Sequence, residues 1–148
     1  MKLEELPGLV AREVSVTEWM EIDQTRIDLF AEATGEKQWI HVDPVRAAAE
    51  SPYGAPIAHG FLTLSMLSLL SKDVLPVQGV KLRVNYGLNK VRFPAAVRVG
   101  ARIRGRFTVA EVKLFGDGAD VVFAVTVELE GSAKPCCAAE WIVRHYSV

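Results

Sequence analysis

Residues 33 to 44 read ATGEKQWIHVDP, a stretch that sets two carboxylates and a histidine around an apolar pair. Glu36 precedes His41 by five residues, Trp39 and Ile40 lie between them, and Asp43 follows. A carboxylate and an imidazole that both reach one water molecule can orient it, take its proton and return a proton elsewhere. Histidine suits this work because it titrates close to neutrality. The same spacing also fits a solvated loop whose histidine only caps or packs, and spacing alone leaves both readings open. Trp39 and Ile40 are expected to enter the core and anchor the loop. No metal is expected at His41 and Asp43, because a third ligand at suitable spacing is missing.

A second chemical feature is PIAHGFLTLS, residues 56 to 65. A helix is predicted to begin at His59–Gly60, and no Ser, Thr, Asp or Asn stands before it as a cap. Its first N–H groups are then without side-chain partners. Gly60 lets a ligand approach its amide closely, and a bare amide at a buried helix start can stabilise a developing oxyanion. A tight turn that simply requires glycine is the plainer alternative. LTLSML lacks the glycine-framed turn of a nucleophile elbow, so a serine hydrolase is not expected.

The elements that must position these groups are legible in the patterning. Residues 24 to 34 are predicted to be a helix, with Asp23 as N-cap, Ile27, Phe30, Ala31 and Ala33 at helical spacing, and Gly35 as the stop. A short strand or extended entry is predicted around EWMEID. Pro44 opens a short helix, PVRAAAES, from the first helical position, and SPYGAP follows as a loop. HGFLTLSMLSLLSK carries apolar residues on all sides, the mark of a helix inside a protein. The second half then changes period. VKLRVNY sets Val80, Leu82, Val84 and Tyr86 against Lys81, Arg83 and Asn85. ARIRGRFTV, DVVFAVTVELE and CAAEWIVRHY repeat that writing, and FGDGAD marks a hairpin. An α+β arrangement follows, a curved antiparallel sheet wrapped around one central buried helix. This is the layout of the hot-dog fold.

The chain has 148 residues, 50% of them hydrophobic, and a formal net charge of −1. It is read as one domain, 1–148, with enough length to bury a core. Near-zero charge offers no bulk attraction to nucleic acid or an anionic membrane. The N-terminal stretch lacks the apolar run of a secretory signal, and GFLTLSMLSLL is too short to span a bilayer. Cys136 and Cys137 are adjacent, which suits neither a zinc site nor an ordinary bridge. A reduced, cytoplasmic setting is expected.

GEKQWIHVD, followed some twenty residues later by APIAHGFLTLSML, resembles the MaoC-like hydratases, the R-specific enoyl-CoA hydratases. Their fingerprint is Gly-Asp-x-Asn-Pro-x-His-x-Asp and then a His-Gly at the head of the central helix. QWIHVD with the later NYGLNKVRFP is most similar to the nodulation protein N-like branch, and the resemblance runs from about Ile22 to the C-terminus. It implies that Glu36 stands in the place of a catalytic aspartate, His41 in that of the catalytic histidine, and Gly60 in that of the oxyanion-hole glycine. Gln38 takes the family's asparagine position and is expected to steady the loop. Ser68 falls where some relatives carry a serine near the site, although a serine bonding its own helix backbone fits equally. Arg92 is a further candidate for substrate contact, with a bulge-stabilising role at the Gly87 break as the alternative. The series Arg98, Arg102, Arg104 and Arg106 reads as the wet face of a strand, with a phosphate contact as the sharper option.

Glu36 departs from the family pattern. One added methylene moves the carboxylate by about 1.5 Å, and a misplacement of about 1 Å can cost roughly a hundredfold in rate. The resemblance implies a hydro-lyase that reversibly hydrates a trans-2-enoyl thioester to the (R)-3-hydroxyacyl thioester. Glu36 would take the proton of a water and His41 would supply one at the α-carbon. It implies a homodimer, no metal or other cofactor, and a coenzyme A or acyl carrier protein thioester as substrate. The acyl chain is expected along the apolar surface between helix and sheet. A hot-dog thioesterase, or a catalytically weak acyl-thioester binder, would share the fold.

Overall fold

A computed structural model describes residues 1–147. The chain opens with a 3-10 helix, Leu3–Leu9, whose Leu6 is fully buried. Two short strands follow, β1 (Glu13–Val16) and β2 (Met20–Glu21). Next come α1 (Gln24–Thr34), a single turn α2 (Trp39–Val42), α3 (Pro44–Glu50) and α4 (Gly60–Leu70). Four long strands complete the order: β3 (Leu82–Arg92), β4 (Arg102–Phe115), β5 (Gly118–Leu129) and β6 (Cys137–Tyr146).

All strand pairs are antiparallel, in the order β1-β4-β5-β6-β3, with β2 extending the β1 edge along β4. Period-2 writing produces this sheet. Ile103, Phe107 and Val109 of β4 and Val121, Phe123, Val125 and Val127 of β5 fill the inner face. The alternate residues of β4 form ion pairs on the outer face: Arg102 with Glu130, Arg104 with Glu128, and Arg106 with Glu13 and Glu128. The solvated-face reading of these arginines therefore holds. β4 and β5 join through Gly116–Asp117, the hairpin that FGDGAD predicts.

Helix α4 lies on the inner face and contributes Leu62, Met66, Leu67 and Leu70 to the core. Burying four such side chains stabilises its docking by on the order of 6–12 kcal/mol, an upper figure because the unfolded chain already hides some of this surface. The helix is not enclosed all round, contrary to what its composition predicts. Phe61 and Leu69 remain 71% and 48% exposed. Strand β3 also departs from expectation. Its polar residues Arg83 and Asn85 face α4, whereas Leu82, Val84 and Tyr86 point outward and stay exposed. Alternation distinguishes two faces but does not say which of them meets the helix.

Cys136 and Cys137 are free and buried at the start of β6, and burial pushes their thiols up to about 12 and about 11. Among the described residues no helix is long and apolar enough to cross a membrane.

Candidate active site

Helix α1 starts and stops where its sequence says it should. The Asp23 carboxylate accepts the Arg26 N–H, and Gly35 closes the helix in the left-handed conformation, φ 78°. Only glycine adopts that conformation without penalty. The chain then turns sharply into α2. Glu36 Oε1 accepts the Gln38 N–H at 3.1 Å, so the carboxylate helps to open the turn that presents His41. Gln24 Nε2 donates to the His41 carbonyl at 2.8 Å and ties α2 to the head of α1. Asp43 caps α3 through the Arg46 N–H. Trp39 and Ile40 stay half-buried and do not enter the core; Trp39 instead lies under the Arg46 guanidinium. The anchor of this segment is His41 itself, only 7% exposed.

Two backbone contacts set the chemistry of His41. The Ile57 N–H donates to the Ile40 carbonyl, and His41 Nδ1 lies 2.7 Å from the Ile57 carbonyl. A carbonyl only accepts, so Nδ1 carries the hydrogen and Nε2 presents a lone pair. Burial pushes the His41 pKa below the ordinary histidine value, with the neighbouring His59 acting in the same direction and the Ile57 carbonyl and Glu36 opposing. The ring is thus held neutral near pH 7, with a basic nitrogen ready.

His59 completes the cluster. Its ring stacks on His41 with centroids 3.8 Å apart and planes 22° from parallel, and Phe30 lies 5.0 Å away. His59 Nε2 donates to the Glu36 carbonyl at 2.9 Å, which leaves Nδ1 buried without a partner. One ring therefore touches the segment bearing Glu36, the imidazole of His41 and the start of α4. Helix α4 begins at Gly60 with no side-chain cap. A methyl group on Gly60 would meet the Phe93 ring at 3.1–3.3 Å, so glycine keeps the space between amide and ring open.

The structure gathers His41, His59, the Glu36 backbone and the head of α4. The Glu36 side chain stays exposed and forms no ion pair with His41. Gln38 steadies the turn through its backbone N–H rather than its amide. Ser68 lies two turns along α4, where its Oγ accepts Asn85 Nδ2 at 3.4 Å; it is Ser65, not Ser68, that bonds back to its own helix. Arg92 is not brought to this cluster. It donates to the adjoining Val91 carbonyl and lines an outer-face hollow with Lys90, Thr126 and Glu140. Among the described residues no three His, Cys, Asp or Glu side chains gather as metal ligands. Spacing did not single out His59 for a role, although the His-Gly pair that marks the helix head contains it.

The profile of the MaoC like domain matches residues 6–131. This chain belongs to the MaoC-like family. The MaoC-like chain is 51% identical to 3-hydroxyacyl-thioester dehydratase Z of Mycobacterium tuberculosis, across 95% of this chain and 93% of that one. It is 45% identical to Nodulation protein N of Rhizobium leguminosarum bv. viciae, across 96% and 89%. Among solved structures, the R-hydratase PhaJ1 of Pseudomonas aeruginosa superposes with a TM-score of 0.71 at 23% identity, covering 94% of this chain and 83% of that one. The hot-dog architecture is thereby shared. The MaoC-like chain is a hydro-lyase, a hydratase or dehydratase of this family.

Proposed function

We propose that the protein interconverts trans-2-enoyl and (R)-3-hydroxyacyl thioesters, carried on coenzyme A or an acyl carrier protein in the cytoplasm. The observation that carries this reading is a neutral histidine with a bare Nε2, stacked beside the residue that heads an uncapped helix. The thioester carbonyl accepts the Gly60 N–H, which draws electron density from the double bond. A water donates one hydrogen bond to His41 Nε2 and the other to the Glu36 carboxylate. As its oxygen bonds to the β-carbon, the water proton passes to Nε2 and negative charge collects on the thioester oxygen. The imidazolium then returns that proton to the α-carbon, the carbonyl re-forms, and one water has been added across one double bond. With Nδ1 held by the Ile57 carbonyl, Nε2 offers a lone pair, which supports His41 as the first proton acceptor in place of Glu36. Glu36 orients the water and stabilises the imidazolium.

A homodimer belongs to the same reading. Among the described residues strand β3 pairs only with β6, and Phe61 and Leu69 of α4 lie open, as suits a second copy.

Crotonyl-CoA hydration by the wild type, His41→Ala and Glu36→Asp tests the mechanism. His41→Ala is expected to lose on the order of 10²–10⁴ in kcat. A wild type that instead releases free thiol from acyl-CoAs, or binds enoyl-CoA without turnover, defeats the hydratase reading.

A further inference from the structure

Helix α4 and strand β3 run antiparallel with a trough between them. At one end Gly60 faces Phe93. Midway, Leu64, Leu67, Leu88 and Trp141, together with Ser65 and Asn85, line a cavity of about 270 Å³. Ser68, Asn85 and Trp141 also line the next cavity, of about 310 Å³, which ends at Ser71, Lys72 and Arg83. At 1.5 Å per residue, Gly60 and Ser71 are about 16 Å apart along the axis.

The far end is chemically unlike the middle. Arg83 donates to the Ser71 carbonyl at 3.2 Å, and among the described residues it forms no ion pair. Arg102, Arg104, Arg106 and Arg144 all have carboxylate partners on the outer face. Arg83 is exposed as a residue, yet packing around its head desolvates the guanidinium enough to lower its pKa. His145, its cross-strand partner on β6, is 1% exposed and turns Nδ1 to the Val143 carbonyl at 3.2 Å, so it adds no donor to this face. Asn85 adds an amide to the same face, and Lys72 a second cation. An alkyl tail ending in a methyl group would leave the charges of Arg83 and Lys72 unmatched.

We propose that the trough receives the acyl chain and that its far end binds a carboxylate, so that the preferred substrates are enoyl thioesters whose chain ends in a carboxylate. This rests on the hydratase reading above, with the thioester carbonyl at Gly60. The largely apolar lining of the middle suits a hydrocarbon chain. Arg83 meets the carboxylate with its free N–H groups, a geometry to which guanidinium is matched.

The test compares trans-2-decenoyl-CoA with its ω-carboxy counterpart, reading the ratio of kcat/KM values. Wild type is expected to favour the carboxy-ended substrate by about tenfold or more, in line with a charge-assisted hydrogen bond. Arg83→Gln keeps a donor for the Ser71 carbonyl and removes the charge, and should bring the ratio close to one. Being internal to each variant, the ratio is insensitive to partial misfolding. A wild-type ratio at or below one overturns the proposal, as does an Arg83→Gln ratio equal to wild type. The latter result, with every CoA ester weakened alike, would assign Arg83 to a coenzyme A phosphate instead. Crotonyl-CoA, too short to reach Arg83, reports on the hydratase reading separately. If the wild type leaves it unchanged, the same ratio is read from calorimetric affinities for decanoyl-CoA and ω-carboxydecanoyl-CoA.

Discussion

His59 holds three parts of the site with one ring, through a stack on His41, a hydrogen bond to the Glu36 carbonyl and the N-cap position of α4. It is a positioning residue, and two substitutions separate its contacts. His59→Phe preserves an aromatic stack and loses the bond to Glu36. His59→Gln keeps a donor and loses the stack. The Phe variant is expected to lower kcat for crotonyl-CoA by about tenfold or more with KM little changed, because water alignment suffers while carbonyl binding at Gly60 remains. Unchanged kcat in both variants would remove His59 from the mechanism. Residue types and their spacing make Glu36, His41 and Gly60 candidates beside plainer readings, since a titratable pair and a bare helix head are written in side chains or their absence, and the family resemblance supplies their proposed roles. The roles of His59 and the tautomer of His41 were not readable. Both depend on the carbonyls of Glu36 and Ile57, and a carbonyl has no sequence signature.

At the scale of elements, the head of α4 couples stability to activity. Gly60→Ala gains helix propensity, yet its methyl would press on the Phe93 ring at 3.1–3.3 Å. Phe93 is 40% exposed and has room to yield. The expected outcome is a melting temperature within a few degrees of wild type and kcat down by about tenfold or more, because the methyl and the displaced ring crowd the approach to the amide. A loss of folded protein instead of rate would make Gly60 a packing residue. The element boundaries themselves were open to reading from Asp23, Gly35 and Pro44, each of which acts on backbone within one turn. The orientation of β3 was not. Its alternation is as regular as that of β4, but β3 lies at the sheet edge, where two bulges, after Asn85 and after Leu88, shift its register. There the polar side turns toward the helix.

Across the whole molecule, two buried histidines govern the response to acid. Burial lowers the pKa of His41 and of His145, and for His145 the Arg83 charge adds to it. An unfolded chain binds protons at both sites near the ordinary value of 6.5, while the folded chain resists until lower pH. The unfolded state then holds more protons, so stability falls as pH drops below about 6.5 and continues to fall until the folded pKa values are passed. Glu13, Asp120, Glu128 and Glu130, held below the usual carboxylate range by their arginines, add a second loss at still lower pH. With a net charge of only −1, global repulsion contributes little near neutrality. The denaturant midpoint should be nearly level from pH 8 to 7 and decline between about 6.5 and 5; a level midpoint throughout contradicts neutral burial of both rings. The adjacent sulfurs at the start of β6 bear on the same opening reaction. Since burial suppresses their thiolates, alkylating reagents find nothing to attack until strands β5 and β6 part, and Cys136 and Cys137 act as an internal clock for that separation.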